Sequence, residues 1–165
     1  MINHPIRKPH RRDRIVYRGC EFYAMTCCVK NRASLFVTQE IVETFKIHLL
    51  NALQKNHCDA FVFLFMPDHV HILLAGKNEQ ADLWRCMVDF KQASGFWLSK
   101  NRSRYQWHTD FYDQRIASRG DAYRYMDYIL KNPVRAGLVL DWKLYPFKGS
   151  TVYELDALLD VGNQG

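Results

Sequence analysis

Residues 58–75 constrain the fold most, because CDAFVFLF and HVHILLA are apolar runs of strand length parted only by Met66-Pro67-Asp68. Proline presets its own φ and aspartate bonds to nearby backbone, so these residues suit a tight turn and the two runs pair as a hairpin. Upstream, Glu21–Val29 (EFYAMTCCV) is rich in aromatic and β-favouring residues and reads as a first strand. After Thr38, a suitable N-cap, Ile41, Val42, Phe45, Leu49, Ala52 and Leu53 recur at helical spacing. From Ala81 to about Lys100, Leu83, Trp84, Met87, Phe90 and Trp97 trace a second amphipathic helix. Gln114–Ala117 reads as a short fourth strand. A third helix is expected from near Asp121, its cap, to Asn132, where Pro133 disfavours helical geometry in the residue before it. This order predicts an α+β fold: a ferredoxin-like split βαβ (RRM-like) antiparallel sheet, with helices on one side and an added C-terminal helix carrying Tyr128.

A chain of 165 residues, 48% hydrophobic and 14% aromatic, has the size and core of one domain. The expected organisation is a basic N-terminal arm over 1–18, a single domain over 19–150 and an acidic tail over 151–165. The arm mixes Pro5 and Pro9 with six Arg or Lys against one Asp, and the tail has Glu154, Asp156 and Asp160 with no cation. The net charge of +6, weighted to the arm, points to a polyanion partner, although charge alone fits a merely solvated arm equally well. Apolar stretches such as Phe61–Met66 fall far short of the roughly 18–20 residues needed to cross a bilayer. The basic N-terminus lacks the apolar core of a signal peptide. The expected location is therefore cytoplasmic, with the nucleoid. Five cysteines without a Cys-x-x-Cys pair read as reduced thiols, mostly buried in strands.

His69 and His71 are two apart on a predicted strand and so project from one face. Two imidazoles converging there can hold a transition-type metal and leave positions open for water or a phosphate oxygen. Two histidines satisfied by hydrogen bonds at a sheet surface would show the same spacing. Tyr128 and Asn132 are four apart on the expected third helix and share one face. The amide oxygen of Asn132 is then a candidate third ligand, and Tyr128 a candidate nucleophile one turn earlier. Tyr123 and Tyr125 crowd the same helix, so spacing alone favours a packed aromatic.

Four strings weigh against those plainer readings. They are Pro-Asp-His-Val-His followed by aliphatics, Tyr-Ile-x-x-Asn-Pro-Val-Arg-Ala-Gly-Leu from Tyr128 to Leu138, Lys-Gln-Ala-Ser-Gly-Phe at Lys91–Phe96, and Trp-His-x-x-Phe-Tyr-Asp at Trp107–Asp113. Through them, from about Tyr17 to Ser150, the chain resembles the REP-associated tyrosine transposases, one-tyrosine HUH transposases related to those of single-strand insertion sequences. The resemblance implies His69 and His71 as metal ligands, Asn132 as the third protein ligand where wider relatives often have glutamine, and Tyr128 as the nucleophile. It further implies Mg²⁺ or Mn²⁺ as cofactor and single-stranded DNA bearing a hairpin-forming palindrome as partner. The reaction would be nicking and joining through a 5′-phosphotyrosine, by a monomer or a homodimer. Arg7, Lys8, Arg11, Arg12 and Arg14 are the candidates for gripping the DNA backbone. Gln114-Arg115-Ile116 departs from the family's pattern, which bears on hairpin specificity.

Two other functions fit parts of the sequence. One is a catalytically silent regulator that binds hairpin DNA or RNA on the same fold. The other is a zinc hydrolase built on His69, His71 and a cysteine such as Cys58. The acidic tail could also fold back over the basic face as a brake on binding.

Overall fold

Alternation along β1 (Phe22–Cys28) sends Tyr23, Met25 and Cys27 to one face of a sheet and Ala24 to the other, and both faces are buried. The computed structural model describes residues 13–157. The strands β1, β2 (Cys58–Met66), β3 (His69–Gly76), β4 (Tyr112–Ile116) and β5 (Lys148–Gly149) form one sheet in the order β4-β1-β3-β2-β5. Every pairing is antiparallel. The first four strands interleave as the expected split βαβ arrangement, and β5 extends it beside β2.

Helix α1 (Gln39–Lys55) is capped by Thr38 and buries the six apolar positions that its spacing marks out, from Ile41 to Leu53. Helix α2 (Leu83–Asn101) starts after Asp82, whose carboxylate accepts from Arg85 N at 2.9 Å. Both helices pack on the same sheet face against Tyr23, Met25, Phe63, Phe65, Ile72 and Leu74. Helix α3 (Arg119–Leu130) covers the opposite face, laying Ala122, Met126, Ile129 and Leu130 on Leu64, Met66 and Leu73. The added helix thus gives the sheet a third layer. Burial on both faces explains why β2 and β3 read as continuous apolar runs. A bulge between Ala60 and Val62 shifts β2's register, so Phe61 and Val62 both turn toward the α3 layer.

Both ends of the third helix differ from the sequence reading, and the fourth strand starts two residues earlier, at Tyr112. The α3 cap is Ser118, whose hydroxyl oxygen accepts from Asp121 N at 3.1 Å. Asp121 instead accepts from the Ser118 hydroxyl and from Arg124, in a box-like first turn. The helix also ends at Leu130, not at Asn132. Lys131 makes a turn, and Asn132 opens a separate short helix α4 (Asn132–Arg135), with Pro133 in its first turn where a missing N–H costs nothing. Tyr128 and Asn132 therefore do not share a face of one helix.

The packed unit also reaches beyond residues 19–150. Residues Arg14–Tyr17 form a 3₁₀ turn, and Tyr17 is buried against Tyr23 and Trp84. At the other end Thr151 N donates to Ala60 O at 2.9 Å, and Leu155 is buried. Glu154 and Asp156 are exposed, and Asp160 lies outside the described residues. The five cysteines are free thiols, of which Cys27, Cys58 and Cys86 are buried. Among the described residues no helix is long and apolar enough to cross a membrane.

Candidate active site

The parity of β3 sends Val70, Ile72 and Leu74 into the α1/α2 layer, and so turns His69 and His71 to the face that α3 covers. Their rings meet edge to face, and their Nε2 atoms are 3.0 Å apart. The side chain of Asn132 arrives from the α3–α4 junction, with Nδ2 2.9 Å from His71 Nε2. A half turn of the amide exchanges its nitrogen and oxygen, so the same pose brings Oδ1 to this point.

A second set of groups faces the other ring nitrogens. Asp68 Oδ1 is 2.6 Å from His69 Nδ1, and Thr26 Oγ1 is 3.0 Å from His71 Nδ1. Arg32 Nε is 2.7 Å from the second oxygen of Asp68. Burial pulls the pKa of His69 below the ordinary imidazole value; the hydrogen bond and charge of Asp68 oppose that shift, and Arg32 adds to it. A lowered pKa keeps the ring neutral near pH 7, the form that offers a lone pair.

Two imidazole nitrogens and an amide oxygen are a donor set for a divalent ion of borderline character. Neighbouring corners of an octahedron with bonds of about 2.1 Å lie about 3.0 Å apart, and the two Nε2 atoms are separated by 3.0 Å. The residues present fit such an ion. Cys58 does not join them, because it is buried in the α1/α2 layer and donates to Asn56 O. The sheet stands between that thiol and the histidines, which removes the basis for a zinc site with Cys58. Among the described residues no group of three or more His, Cys, Asp and Glu is arranged to hold a metal.

Tyr128 is half-buried on α3, just before the junction that presents Asn132. Its neighbours on the helix are otherwise engaged. Tyr123 shares a 2.8 Å hydrogen bond with Tyr153, and the Tyr125 hydroxyl donates to Gln114 Oε1 at 3.4 Å. The hydroxyls of Tyr17, Tyr23, Tyr105 and Tyr145 are bonded as well, whereas those of Tyr128 and of the exposed Tyr112 on β4 make no hydrogen bond among the described residues. Arg135, one turn into α4, stacks its guanidinium 4.0 Å from the Tyr128 ring centre and donates to the Tyr128 carbonyl at 2.5 Å. Sequence reasoning missed Arg135, Thr26, Arg32 and the part played by Asp68. Only Asp68 and Arg135 carried a signal, by lying inside the two motifs.

Of the five basic residues expected to grip DNA, Arg14 alone lies among the described residues, and it is not brought to this site. Arg7, Lys8, Arg11 and Arg12 lie outside the described residues. Arg14 is exposed and lines a groove of about 1030 Å³ with Trp84, Lys91 and Phe111, against α2 and so on the other side of the sheet. Lys91 is committed within that groove, donating to the carbonyls of His108, Thr109 and Asp110.

The same fold occurs in a solved REP-associated tyrosine transposase bound to a REP hairpin, with a TM-score of 0.74 and 19% identity over 93% of this chain and 87% of that one. A provisionally named transposase from Deinococcus radiodurans R1 aligns with a TM-score of 0.50 and 20% identity, over 66% of this chain and 87% of the other. In sequence, a Haemophilus influenzae protein provisionally named as a REP-associated tyrosine transposase is 25% identical over 144 residues, 76% of this chain and 77% of that protein. The fold, the relatives and a family match together define a DNA transposase. More narrowly, the family model for IS200-like transposases matches residues 20–129, and the chain belongs to that family.

Proposed function

We propose that this transposase nicks and rejoins single-stranded DNA beside hairpin-forming palindromes, with Tyr128 as the nucleophile. The observation that carries the reading is the meeting of His69, His71 and Asn132 at one point, on the sheet face covered by the helix that bears Tyr128. The Tyr128 oxygen attacks the scissile phosphorus in line and gives its proton to solvent. The bond from phosphorus to the 3′ oxygen breaks, and that oxygen leaves as a 3′-hydroxyl. A 5′-phosphotyrosine results, which keeps the bond energy, so a 3′-hydroxyl from a second strand can attack it and release Tyr128. Mg²⁺ or Mn²⁺ held by His69, His71 and Asn132 would act as a Lewis acid toward the phosphate. Arg135 stacks on the Tyr128 ring and ties down the backbone carbonyl of the residue that carries it. The structural relative bound to a REP hairpin supports hairpin DNA as the substrate class. The basic residues Arg7, Lys8, Arg11, Arg12 and Arg14 serve as backbone contacts in this reading.

The test is a denaturing gel of the purified chain with labelled single-stranded hairpins, with Mg²⁺ or Mn²⁺ and with chelator. A metal-dependent covalent band that Tyr128→Phe abolishes, with hairpin binding retained, is expected. Hairpin binding with no adduct under either metal would replace this reading with that of a silent hairpin-binding regulator.

A further inference from the structure

We propose that Asp68 and Thr26 are positioning residues that lock the proton of each site imidazole on Nδ1, so that the Nε2 lone pairs of His69 and His71 face one point. The inference rests on the metal-holding reading of the two histidines. An ionised carboxylate can only accept, so the 2.6 Å contact between Asp68 Oδ1 and His69 Nδ1 places a hydrogen on that nitrogen. On a neutral ring Nε2 is then bare. Thr26 is the cross-strand partner of His71, on the same face, with Oγ1 3.0 Å from Nδ1. With Thr26 accepting from His71 Nδ1, the His71 Nε2 lone pair is turned to Asn132, whose amide can donate to it at 2.9 Å or, flipped, set Oδ1 beside it as a further ligand. With both protons on Nδ1 the two Nε2 atoms, 3.0 Å apart, have no hydrogen to share, and the ring pose is set by the partners on the Nδ1 side.

The scaffold around Asp68 is built for that task. Val29 N donates to Asp68 O at 2.9 Å, while Leu35 N and Phe36 N both donate to Pro67 O, at 2.8 and 2.9 Å. The segment after β1 thus encloses the turn that carries Asp68. Within it Asn31 and Arg32 take φ values of 59° and 55°, a left-handed region that residues with a side chain rarely adopt. This bend aims the Arg32 guanidinium at Asp68, 2.7 Å away, and at Cys28 Sγ, 3.2 Å away. Both oxygens of Asp68 are thereby engaged, one by Arg32 and one by His69, and the carboxylate cannot rotate away.

The experiment is long-range ¹H–¹⁵N NMR of the full, metal-free chain with ¹⁵N-labelled histidine, paired with Mn²⁺ titration followed by EPR. The native chain should show His69 and His71 with the proton on Nδ1. Asp68→Ala should move His69 toward the Nε2–H form, Thr26→Val should do so for His71 alone, and each should weaken Mn²⁺ binding by about 10–100-fold. Asp68→Asn keeps an acceptor of the same shape and should retain the His69 tautomer, which guards against a folding artefact. A folded Asp68→Ala protein whose His69 tautomer is unchanged overturns the proposal, as does a native His69 protonated on Nε2. A native chain with both protons on Nδ1 that binds no Mn²⁺ overturns the metal-holding reading and upholds the tautomer lock.

Discussion

Replacing Asn132 with alanine separates a structural pin from a ligand, because the two roles predict effects of different size in different assays. As a pin, the amide makes one part-buried hydrogen bond, to His71 Nε2 at 2.9 Å. Losing a neutral bond of that kind costs about 1 kcal/mol, which for a domain of this size is roughly 2–4 °C in Tm. As one of three protein ligands, its loss should exceed the tenfold to hundredfold effect typical of outer-shell groups. A hundredfold loss of ion affinity corresponds to about 2.7 kcal/mol. The expected outcome is therefore a Tm lowered by only a few degrees in chelator, with the Mn²⁺ needed for half-maximal adduct raised by more than about a hundredfold. Differential scanning fluorimetry gives the first number, and a gel series over Mn²⁺ concentration gives the second. If half-saturation stays within threefold of the native value in a folded variant, Asn132 is a pin and the ligand assignment is refuted.

Two further predictions concern the frame. A Cβ added at Gly76 would lie 1.8 Å from the Gly19 carbonyl oxygen, and that residue is itself held by a 3.0 Å bond from its N–H to Ala81 O. Gly76→Ala should therefore cost about 3 kcal/mol, roughly 6–12 °C in Tm by thermal unfolding, and an unshifted melting curve would contradict the close approach. Asp89 bonds Asn56, Lys55 and Arg85; burial pushes its pKa up, but these donors outweigh it and hold the carboxyl below its ordinary 3.8. A folded pKa below the unfolded one means the stabilisation is complete above about pH 4 and is lost as pH falls through the folded value. Asp89→Asn should cost about 1–2 kcal/mol at pH 7 and flatten the acid limb of a denaturant-stability profile, and an acid limb as steep as the native one would exclude this role.

What the sequence made legible was local. The hairpin, the buried stripe of α1 and the shared face of His69 and His71 follow from periods of two and 3.6, and each is present. What stayed hidden depended on pairings between distant segments. Thr26 reaches His71 only through the β1–β3 register, and Arg32 reaches Asp68 only because the chain after β1 wraps the hairpin turn. Proline at position 133 marked the end of the third helix, but the chain turns already at Lys131, so Asn132 meets His71 from a junction rather than from a helix face. Tyr128 could not be told from Tyr123 and Tyr125 by spacing. Their partners separate them, since Tyr153 and Gln114 come from outside the helix.

The sheet divides the interior into two unequal halves, and the smaller one carries α3 with Tyr128. An opening confined to that half exposes less apolar surface than unfolding the larger half with α1 and α2, and its free-energy cost is correspondingly lower. Warming should then silence the protein before it melts it: the helix that bears Tyr128 lifts from a sheet that is still assembled, and on cooling it settles back without the chain having to refold.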